Sequence, residues 1–191
     1  MVILDIDQDF MFDCPSQTKR IEDYVRLYYL HEILDRFKAY KGLPYRIFVD
    51  HDEALWDCRY NNYKDIDLIH VDRHDDIPLG SKVLREDQKR GNRPHIGNWI
   101  SHLIDDGRCS YVEWIGHHPE GTATLTAEET PVQHTPYMLR QSTLASTQYH
   151  KPINLVYYTV SPGFSPTNAD VLEFIEVFSG YKLDPGSQLY L

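Results

Sequence analysis

Three short apolar runs in this chain each lead into residues able to hold a cation, and that repeated pattern constrains the fold more than any other feature. Residues 2–6 run into Asp5, Asp7 and Asp9, residues 46–49 into Asp50 and His51, and residues 66–71 into Asp72. Each run is too short for a helix and rich in β-branched residues, which predicts buried strands. Residues 111–115 and 153–160 read as two more. Helical spacing is clearest over 19–40, where Ile21, Tyr24, Val25, Tyr28, Leu34 and Phe37 lie close to one face and Gly42-Leu43-Pro44 stops the element. Further helices are expected from Ile96 or Gly97 to about residue 104, and from an N-cap at Asn168 through Val171, Leu172, Ile175 and Phe178 to Gly180. Residues 80–94 and 121–148 read as loops over the site. The alternation predicts an α/β fold over 1–191 as a single domain. Three layers are expected, a mainly parallel sheet flanked by helices, with ligands gathered at the C-terminal ends of the strands.

A chain of 191 residues suits one domain carrying one site. Its formal net charge of −10 argues against a partner made of nucleic acid and against an anionic membrane surface. Cys14, Cys58 and Cys109 are odd in number and form no Cys-x-x-Cys pair, so neither a disulfide framework nor a thiolate zinc site is expected. A reducing cytoplasmic setting fits. The N-terminus lacks a basic segment ahead of its apolar run, and no apolar stretch approaches the about 20 residues of a membrane helix.

In Asp72-Arg73-His74-Asp75-Asp76, period two from a continuing strand places Asp72, His74 and Asp76 on one face and turns Arg73 and Asp75 elsewhere. Asp5, Asp7 and Asp9 alternate in the same way, and three carboxylates on one face raise each other's pKa unless a cation sits among them. His51 joins these as a candidate ligand from a third strand end. Two histidines with at least four carboxylates are too acidic a set for one zinc and suit a pair of Mn2+ ions sharing carboxylates. Such a pair activates water for hydrolysis at carbon or phosphorus. His31, His70, His102, His117, His118, His134 and His150 have no ligand spacing and read as surface or core residues, while Trp56, Trp99 and Trp114 read as core or pocket walls.

These residues resemble a known family. Asp72-Arg73-His74-Asp75-Asp76 is similar to the Asp-x-His-x-Asp motif of the arginase, agmatinase and histone-deacetylase superfamily, Asp50-His51 to its Gly-Gly-Asp-His motif, and Leu4-Asp5-Ile6-Asp7 to its Asp-x-Asp motif. The order differs from the usual enzymes, because the Asp-x-Asp motif comes first. Together with the short chain and Pro94-His95-Ile96-Gly97-Asn98-Trp99-Ile100, this resembles the short permuted branch that includes peptide arginases of ribosomal peptide natural-product biosynthesis. The resemblance implies two manganese ions, one held by His51, Asp72, Asp76 and Asp5 and the other by Asp72, His74, Asp5 and Asp7, with Asp7 and Asp9 as the alternative ligand pair. It also implies His95 as a proton carrier and, as substrate, an arginine-containing precursor peptide hydrolysed to ornithine and urea. The family's guanidinium-binding glutamate has no counterpart in Ser161-Pro162-Gly163, which leaves Asp9, Asp75, Glu53 and Glu113 as the acids to pair with a cation.

The other expectations are a dinuclear phosphoesterase, with Arg73, Lys82, Arg85, Lys89, Arg90 and Arg93 to clamp phosphate, an arginase-like hydrolase of a small guanidine or amide, a mononuclear zinc deacetylase, and a metal-dependent binding module without turnover.

Overall fold

A computed structural model of the chain describes residues 1–13, 20, 23–77, 93–117, 125–126, 137–163 and 169–179, with the backbone alone for 125–126, 169, 170, 172 and 179. The strands are β1 (Val2–Asp7), β2 (Phe12–Asp13), β3 (Val25–Arg26), β4 (Tyr45–Phe48), β5 (Ile66–Val71), β6 (Cys109–Ile115), β7 (Leu125–Thr126), β8 (Met138–Ser142) and β9 (Leu155–Thr159). The helices are α1 (Leu30–Arg36), α2 (Asp52–Tyr60), α3 (Trp99–Asp105) and α4 (Ala169–Ser179), and a 3-10 turn spans Gln8–Met11.

The main sheet has the order β4-β9-β1-β5-β6-β8-β7, parallel throughout except for β7, which lies antiparallel to β8. Strand β1 is buried along its whole length, and alternation divides its side chains between two cores. Val2, Leu4 and Ile6 pack in a cluster with Ile33 and Leu34 of α1 and Val171, Phe174 and Phe178 of α4. Ile3 joins the opposite cluster with Ala54 and Leu55 of α2 and Trp99, Ile100 and Leu103 of α3. Each such aliphatic side chain contributes about 1.5–3 kcal/mol on burial, so helices on both faces hold the parallel sheet. The expected three-layer α/β architecture is therefore present.

Several elements differ from their expected bounds. Among the described residues of the helix expected over 19–40, which leave out Ile21, the only helix is α1, because Val25–Arg26 pairs antiparallel with Phe12–Asp13 and the Leu27 N–H donates to the Met11 carbonyl at 2.9 Å. Val25 is 51% exposed, whereas Tyr24 and Tyr28 still pack against the core from this extended segment. α1 then ends at Phe37 and Lys38, whose φ of 52° breaks the helix before Gly42 is reached. Helix α2 was not anticipated. It begins directly after β4, where a Glu53 carboxylate oxygen accepts the Val49 and Asp50 N–H groups at 2.7 and 3.3 Å. Strands β7 and β8 fall inside the stretch 121–148 that had read as loop. Trp56 is 52% exposed and lines no core. Cys14, Asn168, Gly180 and residues 78–92, which include Lys82, Arg85, Lys89 and Arg90, lie outside the described residues, as do His118 and His134. No described helix is long and apolar enough to cross a membrane.

Candidate metal centre

The parallel register sets the site. Asp5 is the Cα partner of His70 and Ile6 of Val71, so the carboxyl ends of β1 and β5 emerge side by side on the face covered by α2 and α3. Asp5 and Asp7 follow from period two along β1. Asp9 arrives differently, because the chain curls into the 3-10 turn, with the Asp9 N–H donating to Asp7 Oδ1 at 2.8 Å. That turn brings the Asp9 carboxylate, 1% exposed, to 3.4 Å from His74 Nδ1.

His51 immediately precedes α2 and points back over the strand ends. Its Nδ1 lies 3.0 Å from Asp7 Oδ2, 3.2 Å from Asp72 Oδ2 and 3.2 Å from Asp76 Oδ2, and its Nε2 lies 3.3 Å from Asp5 Oδ2. Asp72 holds the turn that follows β5 by accepting the His74 N–H at 2.8 Å, and the same carboxylate lies 3.5 Å from His74 Nδ1. The extended conformation does not run to the end of this motif, because Asp76 adopts a φ of 48°. Asp76 still faces inward, where the Trp99 indole N–H donates to it at 2.8 Å. Asp75 also lies on the cavity wall, contrary to the expected alternation, while Arg73 does turn away toward Asp13, 3.4 Å distant.

His70 belongs to this cluster, although its sequence surroundings had placed it with the unremarkable histidines. It is fully buried, with Nδ1 2.7 Å from Asp5 Oδ2 and Nε2 3.1 Å from the His74 carbonyl. The signal was available, since period two counted backward from Asp72 reaches His70. Of the remaining histidines, His117 packs on Phe10 and Tyr28 and contacts the Phe10 carbonyl. His95 joins no metal-holding group among the described residues; its N–H donates to Asn98 Oδ1 at 2.8 Å and its Nδ1 accepts the Gly97 N–H at 3.2 Å. Next to it, Ile96 and Gly97 line a cavity of about 270 Å³ together with Asp7, Asp9, His51, Asp72, His74, Asp75, Asp76 and Ser161. Of the acids considered for pairing with a cation, Glu53 is engaged at the start of α2. Glu113 is buried away from the cavity against Ser142 and Tyr111.

Electrostatics show how acidic this pocket is. Burial, with Asp72 and Asp7 nearby, pushes the Asp9 carboxyl up to about 8. Burial also raises Asp7, against the opposing pull of His51. In Asp5 and Asp72 the imidazoles outweigh burial and hold the carboxyls below their ordinary values, far below for Asp72. The imidazoles respond in kind: despite burial, Asp5 and Asp7 raise His51, Asp5 and Asp72 push His70 up to about 9, and hydrogen bonds donated to Asp72 and Asp9 push His74 up to about 11. The surrounding carboxylates thus hold each imidazole toward its charged form.

The residues fit a metal. Four overlapping groups have ligand atoms within 4.8 Å of one another: Asp5-His51-His70, Asp7-His51-Asp72, Asp9-Asp72-His74 and His70-Asp72-Asp76. Asp5 Oδ1, Asp9 Oδ1 and His51 Nε2 are buried and make no hydrogen bond, a costly state that coordination would relieve. Oxygen-rich donors with imidazole are the chemistry of a hard or borderline divalent ion. Compared with models of protein families, with curated proteins and with solved structures, the chain gives no match in any of the three.

Proposed function

We propose that the chain is a dimanganese hydrolase that converts arginine side chains of a precursor peptide to ornithine and releases urea. The observation that carries this reading is the convergence of five buried carboxylates, Asp5, Asp7, Asp9, Asp72 and Asp76, on His51 and His74 at the carboxyl edge of a parallel sheet. Two ions of this kind, when bound, supply activated water at neutral pH and stabilise charge developing at an electrophilic carbon. His51, Asp7, Asp72 and Asp76 would hold one, and Asp9, Asp72 and His74 the other.

The remaining roles fall to the cavity wall and to His95, which adjoins it in the chain. Asp75 pairs with the guanidinium, and Ile96 lies along the methylene stem. Water adds its oxygen to the guanidinium carbon, the bond to the side-chain nitrogen breaks, and that nitrogen leaves as the ornithine amine. His95, beside Ile96 and Gly97, passes the proton to the leaving nitrogen. The described lining contains carboxylates and neither Lys nor Arg, which favours a cationic substrate over a phosphate ester.

The experiment is metal content by elemental mass spectrometry after purification with manganese, followed by urea release from an arginine peptide and from free arginine. Two manganese ions per chain with urea from the peptide are expected. One zinc ion, or two metals without urea, overturns the reading in favour of a deacetylase or a phosphoesterase.

A further inference from the structure

His70 occurs in two of the four groups able to surround a metal, yet its hydrogen bonds point to a different task. A backbone carbonyl oxygen can only accept, and the His74 carbonyl lies 3.1 Å from His70 Nε2. A bare nitrogen at that position would set its lone pair against those of the carbonyl and of Asp72 Oδ2, 3.4 Å away. Nε2 is thus turned to a carbonyl oxygen and not to an open position where an ion could sit. The other ring nitrogen is taken up by Asp5 Oδ2 at 2.7 Å. The ring is fully buried and edge-on to Trp99, with centroids 5.9 Å apart, so it cannot swing to another orientation without repacking that contact.

We propose that His70 is a positioning residue of the metal centre, fixed by Asp5, which pins the His74 carbonyl and so aims the His74 ring and the Asp72 carboxylate into the ligand set without joining it. The 72–76 turn carries three of the candidate ligands, and residue 76 already departs from extended geometry. Its path depends on side-chain anchors: Trp114 Nε1 donates to the Asp72 carbonyl at 2.9 Å, and His70 secures the next carbonyl but one. Outer hydrogen bonds of this kind orient ligands and typically change metal affinity ten- to a hundredfold.

The inference rests on the metal-centre part of the proposed function and not on hydrolysis. Its test is long-range 1H–15N NMR of the histidines in protein loaded with 113Cd2+, together with cadmium titrations of His70→Gln and His70→Leu. Cadmium coupling is expected at one nitrogen each of His51 and His74 and at neither nitrogen of His70. His70→Leu should bind cadmium at least tenfold more weakly with shifted His74 resonances, and His70→Gln, whose amide can still donate to the His74 carbonyl, should recover most of that loss. Coupling to a His70 nitrogen, loss of a whole metal equivalent in a folded His70→Gln, or wild-type affinity in His70→Leu overturns the proposal. A wild-type protein that takes up no cadmium overturns the metal centre itself, and metal uptake without urea release overturns only the hydrolase reading.

Discussion

Ser161 donates its hydroxyl to Asp7 Oδ2 at 2.5 Å from a backbone held at φ 45°. A non-glycine residue in that left-handed region is strained, and the Ser161 N–H bond to the Val49 carbonyl at 3.0 Å keeps it there. Ser161→Ala should leave the fold intact and weaken manganese binding about tenfold, since Asp7 loses the group that orients it. Ser161→Gly should lose the same affinity while melting no lower than the alanine variant, because glycine accepts this φ without strain. Metal titrations and thermal melts of both variants check this.

Asp72 contacts His51 and His74, and its backbone is tied to Ile115 and Trp114. Asp72→Asn should abolish metal binding and hydrolysis together. His150→Ala, at an exposed position remote from the cavity lining, should change neither. Metal content and urea release on the same preparations decide it, and activity surviving in Asp72→Asn would remove Asp72 from the site.

The indole of Trp99 donates to Asp76 and lies at 28° to the His51 ring with centroids 5.7 Å apart. Trp99→Phe keeps most of the packing but leaves a buried carboxylate oxygen without its donor, a loss of about 1–3 kcal/mol in the metal-free protein. Manganese should compensate in part, so the difference in melting temperature between wild type and variant should narrow on loading. Tryptophan emission of the wild type should also fall on manganese addition, and the change should shrink in the variant.

The metal-free fold should lose stability as pH rises from 7 to 10. Asp9 and His70, at about 8 and about 9 in the folded chain, both lie above their unfolded values of about 3.9 and about 6.5. The stability they contribute is complete below the unfolded values and is lost as pH rises through the folded ones. Manganese competes with the same protons, so its affinity should increase over this range and its binding should release protons. Melting curves with and without manganese, and calorimetry in buffers of differing ionisation heat, test the sign.

Cys58 and Cys109 are free and buried, and burial pushes both thiols up to about 12. Alkylation at pH 8 should reach them at least about a hundredfold more slowly in the native protein than after denaturation. Mass-spectrometric mapping of iodoacetamide labelling reads this residue by residue.

Much of the site was legible because strands repeat every two residues. Asp5, Asp7 and Asp72 come straight from that period, and His70 does too once the count is carried upstream. Asp9 and Asp76 do reach the cluster, but not by alternation, since a 3-10 turn and a left-handed residue bring them in after alternation has stopped. Asp75 was misplaced by the same assumption. Helical spacing over 24–28 does not give a helix, because the backbone of Val25 and Arg26 pairs with Asp13 and Phe12, which local spacing does not reveal.

By itself the amino-acid order determined the α/β class, the strand ends as the place of the Asp and His cluster, and the residue types there that could hold a cation. Those are local properties, set by side-chain period and by the preference of β-branched runs for extended backbone. Only the tertiary structure decided that β1 and β5 are neighbours, that His51 reaches both from the start of α2, and that His70 gives its Nε2 to a carbonyl. Those relations join residues far apart in the chain, and they arise from packing two helical layers on one sheet, which no local pattern encodes.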